Sequence, residues 1–436
     1  MRKLLIAAVL LSGPAPAADL MQLYQDALLN DSEYAAARHA RGAQREHLPR
    51  ARAGLLPTVV ASGALSRNDA DSDIDGGAAR PYDWDARRFK VALTQPLLRV
   101  ANWRQYQQGQ LLAEEGELAL ALARQQLMLR LCQAYFGVLT AQDALSAAQA
   151  QRQAIGEQLD RARHNFEIGD ATSADTHEAQ ARLDLASANE SAERGNLEVR
   201  RGALEAIIGK PGGELAALPD GVELLPPQPA DPEAWAALAV GNNHNVTRQR
   251  LRAEIAAREI DKVRSGRLPT VDLVVSRGHV NQNGDSPLLG RNVTTSNSIG
   301  IQVNIPIFSG FGVDSQVRQA VELREVANAE LETARRTAAQ DVRAAYFRMT
   351  SALARGAALE AARRSSRLAL DSNRFGYEVG MRINIDVLNA QQQLFATQTQ
   401  LSAVRYEAIL DGLRLKAAAG SLQEADVEQV NALLKR

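Results

Sequence analysis

The 436 residues carry 50 Lys and Arg against 51 Asp and Glu, a net charge of −1. A chain so balanced has no basic surface to offer nucleic acid. A single cysteine excludes an internal disulfide, and 4% aromatic residues beside abundant alanine suit long, closely packed helices better than one thick core.

The chain opens with Arg2 and Lys3, the apolar run from Leu4 to Leu11 and the small residues Ala15-Pro16-Ala17. This pattern predicts a secretory signal peptide over residues 1–17. The run is too short to span a bilayer, and no later stretch is apolar enough for a transmembrane helix. Ala18 rather than cysteine follows the cut, which argues against a lipid-anchored N-terminus. Cys132 lies among apolar helical residues and is expected to pack.

Beyond the signal the chain is written twice. Leu56-Pro57-Thr58 answers Leu268-Pro269-Thr270, Ala134-Tyr135-Phe136 answers Ala345-Tyr346-Phe347, and Gly209 answers Gly420. The offset is 211 or 212 residues throughout (420 − 209 = 211; 268 − 56 = 212). Repeat 1 is expected over 18–210, a Pro- and Gly-rich linker over 211–232, repeat 2 over 233–420, and a C-terminal segment over 421–436.

Each repeat begins with a helix and continues with two strands, at about 57–67 and 88–97 in the first and about 269–281 and 297–307 in the second. The alternation is plainest where Ile299, Ile301, Val303, Ile305 and Ile307 take one face and Ser298, Gly300, Gln302 and Asn304 the other. Phe89, Val91 and Leu93 repeat it against Lys90 and Thr94. Polar loops join the paired strands at 68–88, with six aspartates, and at 282–296. In an exported chain, strands of about 9–11 residues fit a bilayer. Four strands cannot close a barrel, and an open edge is not tolerated in lipid, so a dimer or trimer is required.

Residues 101–167 and 311–377 each read as one helix, free of proline. An apolar seam runs Leu331, Ala334, Ala338, Val342, Ala345, Met349, Ala352, and each position less 211 is again apolar, from Leu120 to Ala141. A mean spacing of about 3.5 residues is that of left-handed coiled coils. Gly169 and Gly380 interrupt the helical pattern at matched positions. They predict hairpin tips at 168–175 and 379–386, with Ser173 and Asn384 as N-caps and Asp175 and Asp386 in the first turn of each return helix.

The tip "YEVGMRINIDVLNAQQQL", the junction "PIFSGF" at 306–311 and the segment at 404–431 resemble the TolC family of outer-membrane efflux proteins, in its branch without a lipid anchor. The resemblance covers essentially the whole mature chain. It implies a mixed α/β membrane protein: a homotrimer with a twelve-stranded transmembrane barrel, four strands per protomer, continuous with a long periplasmic helical barrel. Such a channel-tunnel is a passive exit duct for type I protein secretion or multidrug efflux, gated at its periplasmic tip. An adaptor protein would join it to an inner-membrane ABC or proton-driven transporter. The family's closing links fall on Asp175, Tyr377 and Arg382, and its carboxylate ring on Asp386, with neutral Asn389 where a second carboxylate is expected and Ala174 where a threonine is. Gly169, Gly380, Met381 and Ile383 would form the adaptor-docking tip.

The six histidines are scattered without metal-binding spacing, and "GKPGG" at 209–213 lacks the pattern of a phosphate loop. No catalytic constellation, cofactor or metal is expected. The alternatives are a periplasmic coiled-coil adaptor or scaffold, which would not need alternating strands joined by long polar loops, and a secreted fibre-like protein, which would not need matched tips.

Overall fold

The computed structural model describes residues 19–72, 80–169, 172–219, 221–284 and 291–434. The expected signal peptide at 1–17 lies outside the described residues, as do parts of both strand-joining loops and of the first tip.

The chain runs through helices α1 (Leu20–Asn30), α2 (Ser32–Arg45) and α3 (His47–Ala53), strands β1 (Thr58–Ser72) and β2 (Arg80–Leu98), then α4 (Val100–Glu167) and α5 (Ser173–Ile208). The same succession returns as α6 (Pro232–Asn242), α7 (His244–Arg264), β3 (Thr270–Gly284), β4 (Asn292–Asn304), α8 (Gly312–Glu378) and α9 (Asn384–Ala418). A last helix, α10 (Glu424–Ala432), follows. The residues form two compact units: Ala40–Leu118 with Arg248–Glu332, and Met1–His39 with Ala119–Thr247 and Thr333–Arg436.

In the first of these units the four strands make one antiparallel sheet in the order β1-β2-β3-β4. The ladder extends past the expected strand bounds. β1 runs to Ser72 and β2 starts at Arg80, so most of the stretch expected as a loop at 68–88 is strand. Backbone pairing needs no apolar side chain, so the ladder outlasts the alternation that marks it in sequence. Asp69 stands opposite Asp83 there, and Arg67 pairs with Asp83 at 2.9 Å. At the other end β4 stops at Asn304, short of 307, because Pro306 has no N–H to continue the ladder. The register of β2 shifts at Pro96, again where a donor is missing. Just beyond, Arg99 grips Asp272 with two bonds of 2.8 and 2.7 Å, fixing the start of α4 against β3.

The other unit holds the main core. Leu127, Leu131, Val138 and Ala141 of α4 are buried, and so are Ala334, Ala338, Val342, Ala345 and Ala352 of α8, as the seam predicts. Cys132 is fully buried, a packing residue whose thiol burial pushes up to about 12. Tyr135 donates to the Ala216 carbonyl at 2.7 Å, and the Phe136 and Tyr406 rings stack 5.5 Å apart. Both return helices end with a left-handed glycine, Gly209 and Gly420, at φ 73° in each case. Both also receive an asparagine from the other end of their repeat. Asn30 donates to the Ile208 carbonyl at 2.9 Å, and Asn243 to the Ala418 carbonyl at 2.8 Å. These bonds satisfy carbonyls that a helix end otherwise leaves bare.

Candidate functional site

The expected sites fall in two places, the sheet and the helix-hairpin tips. In the sheet, the register aligns Val59, Leu93, Val275 and Ile299 in one row, with Phe89, Val91, Leu273, Ile301 and Val303 on the same face. This face is bare. Leu65 is 81% exposed, Ile299 76% and Ile301 66%. Arg277, His279 and Arg87 share this face toward the strand-joining loops, so the apolar surface is a band around the row of Val275, and such a band marks contact with something apolar. The opposite face is mostly polar or small, with rows such as Ser62, Lys90, Gly278 and Ser296, and carries Val60, Val274 and Val280 among them. Both outer strands, β1 and β4, have one unpaired edge.

At the second tip, α8 closes on Gly380, whose φ is 74°. Met381 N–H donates to the Gly376 carbonyl at 2.7 Å and Gly380 N–H to the Tyr377 carbonyl at 3.1 Å, the two bonds of a Schellman ending. Gly169 ends α4 likewise, with φ 86° and a bond from its N–H to the Phe166 carbonyl. No atom lies within 4 Å of where a Cβ would stand on either glycine, so both are chosen for backbone conformation. Apolar side chains crowd these turns. Met381 is 75% exposed and Ile383 62%, while Phe166, Ile168, Phe375 and Val379 are exposed beside them.

The return helices begin differently from the expectation and from each other. The N-cap of α5 is Thr172, not Ser173. Its hydroxyl accepts from the Asp175 N–H, and the Asp175 carboxylate accepts from the Thr172 N–H at 3.0 Å, a reciprocal box. The N-cap position of α9 is Ile383, not Asn384, and an isoleucine cannot cap. Asn384 is instead buried as the first helical residue, where its side-chain oxygen accepts from Gln158 of α4. The Asp386 carboxylate therefore has no capping duty; its neighbour is the Arg382 guanidinium at 3.8 Å. Asn389 is exposed one turn on.

A concavity of about 940 Å³ brings Asp175, Tyr377, Gly380, Arg382 and Ile383 together with His164 and Asn165 of α4. Gly169, Met381, Asp386 and Asn389 are not in its lining. Tyr377 accepts a bond from Asn165 at 3.1 Å, within the protomer. The Arg382 stem lies on Gly376, where a Cβ would come within 2.7 Å of its Cγ. Asn165 and Gly376 escape sequence reasoning because no periodicity singles them out. Their correspondence between the repeats was the available signal (376 − 165 = 211).

The comparisons with known proteins agree with this architecture. The outer membrane efflux protein family model matches residues 23–210 and 235–421, one match to each repeat. The chain is 32% identical over 429 residues to the alkaline protease secretion protein AprF of Pseudomonas aeruginosa, covering 97% of this chain and 89% of that one. It is 31% identical to the outer membrane protein TolC of Escherichia coli, covering 98% and 87%. The fold matches that of the Campylobacter jejuni CmeC outer membrane channel with a TM-score of 0.78 at 15% identity, over 98% of this chain and 94% of that one. On this evidence the chain belongs to the outer membrane efflux protein family.

Proposed function

We propose that three copies of this chain form the outer-membrane duct of an export system, a twelve-stranded barrel opening into a periplasmic helical tunnel. The observation that carries the reading is the sheet: four strands with both edges unpaired and one apolar face bare. Lipid accepts the apolar face but not the edges, so copies must pair β4 to β1 until the ring closes. Trimer over dimer follows the family resemblance. The duct is passive, and an inner-membrane transporter, reached through a periplasmic adaptor, supplies the energy. The relative AprF is named for alkaline protease secretion, which makes an exported protein one candidate cargo.

The tips are the gate. Tyr377, Arg382 and Asp175 link neighbouring helix pairs when it is closed, and Asp386 forms the narrowest ring, with Asn389 adding no charge. Gly169, Gly380, Met381 and Ile383 meet the adaptor. Support comes from the open backbone at both glycines and the exposed apolar side chains around them. The test is the purified protein in planar bilayers and on a gel after mild detergent without heating. Trimeric migration and small single-channel conductance are expected. A folded soluble monomer without channel events overturns the reading.

A further inference from the structure

On the polar face of the sheet the described charges not already paired within the protomer are positive. On β2, Arg88 and Lys90 point to this face, opposite Ala64 and Ser62 of β1 and opposite Val280 and Gly278 of β3. Both are exposed, and neither side chain takes part in an ion pair or hydrogen bond among the described residues. Their described row neighbours, Ala64, Val280 and Thr294 for Arg88 and Ser62, Gly278 and Ser296 for Lys90, are uncharged, so none of these pairs with either stem. Along this face in β1, β3 and β4 the described residues hold one carboxylate, Asp272, and Arg99 already occupies it through both oxygens. The acidic residues Asp69, Asp71, Asp83 and Asp85 alternate onto the apolar side of the ladder instead.

From this placement we infer that Arg88 and Lys90 form a cationic collar inside the barrel, which selects for anionic cargo. The inference rests on the trimeric barrel, which turns the polar face inward and brings three copies of each side chain around one axis. A ring of Arg or Lys is how a pore favours anions. Six like charges facing a confined aqueous path raise the local concentration of an anion by roughly tenfold or more. The collar is formed at a level where the strands are regularly paired, so its position is set by the sheet and not by the strand-joining loops.

The cargo class follows. A polypeptide or small molecule with excess carboxylate, sulfonate or phosphate groups is drawn into the barrel, and a polycation is delayed there. Asp386 acts oppositely, on cations, so the two rings are separable by the sign of the probe.

The experiment uses the full-length trimer in planar bilayers with inorganic tripolyphosphate added on the side of the strand-joining loops. Wild type is expected to be blocked, with block weakening at molar salt, where screening shortens to about 3 Å. The double variant Arg88→Gln with Lys90→Gln should lose block by about tenfold or more. The double variant Arg88→Lys with Lys90→Arg keeps both charges and should retain it. Migration as a heat-modifiable trimer controls for assembly of each variant. Channels that show equal block in all three proteins overturn the collar while leaving the duct intact. An absence of channels in wild type overturns the duct itself, and the collar with it.

Discussion

At the scale of single residues, the two tips show how one carboxylate is drawn into a cap while its counterpart is not. Asp175 and Asp386 occupy equivalent positions (386 − 175 = 211). Thr172 engages Asp175 in a cap, whereas Ile383 leaves Asp386 with only an exposed arginine at 3.8 Å. An exposed pair of that kind contributes a few tenths of a kcal/mol, about 0.3–0.5. Asp386 is therefore the tip carboxylate that no cap occupies, and the proposed gate ring is tested there. Current through wild type should be blocked by a trivalent cation added on the periplasmic side, and current through Asp386→Asn should be largely spared. With Asn389 neutral, block should be weaker than two carboxylate rings would give. Equal block in both proteins would show that Asp386 serves only the helix terminus. The asymmetry was not legible in the sequence, where Ser173 and Asn384 look like matched caps. A cap is chosen by backbone angles at one residue, and neighbouring Thr172 and Ser173 offer the same hydroxyl chemistry.

At the scale of elements, the left-handed glycines that end helices divide into two kinds. Gly380 has open space about it, but at Gly420 a Cβ would meet the backbone of Asn242 and Asn243. Alanine at 380 should cost about 1–2 kcal/mol, the penalty of the left-handed conformation alone. Alanine at 420 adds a clash with main chain that cannot rotate away, and it disturbs the bond from Asn243 to the Ala418 carbonyl. Thermal unfolding should show Gly420→Ala markedly less stable than Gly380→Ala; equal midpoints would refute the distinction. Helices and their seam were legible from end to end because proline exclusion and a period near 3.5 persist over dozens of residues. Strand ends were less so. Alternation reports where one face is apolar, and β1 and β2 continue beyond that point with polar residues on both faces, to Ser72 and from Arg80.

For the molecule as a whole, the bare apolar face ties location to assembly. A charge on the lipid face of a barrel costs about 2–4 kcal/mol per copy near the membrane midplane, and a trimer carries it three times. Ile301→Arg should therefore abolish heat-resistant trimers in outer-membrane fractions while the helical content of the purified chain stays the same. Gln302→Arg, one position away on the polar face, should assemble normally. Loss of assembly in both, or in neither, would contradict the assignment of the faces.

The unpaired edges of β1 and β4 also set a kinetic problem for the newly exported chain. Until partners arrive, each copy offers two strands ready to pair with any extended backbone, correct or not. Ring closure consumes three such copies and so slows steeply on dilution, whereas a wrong pairing needs only one stray strand. Biogenesis is then a race between closure and misassembly. Closure is favoured where copies are concentrated and where the edges stay covered until a partner strand arrives.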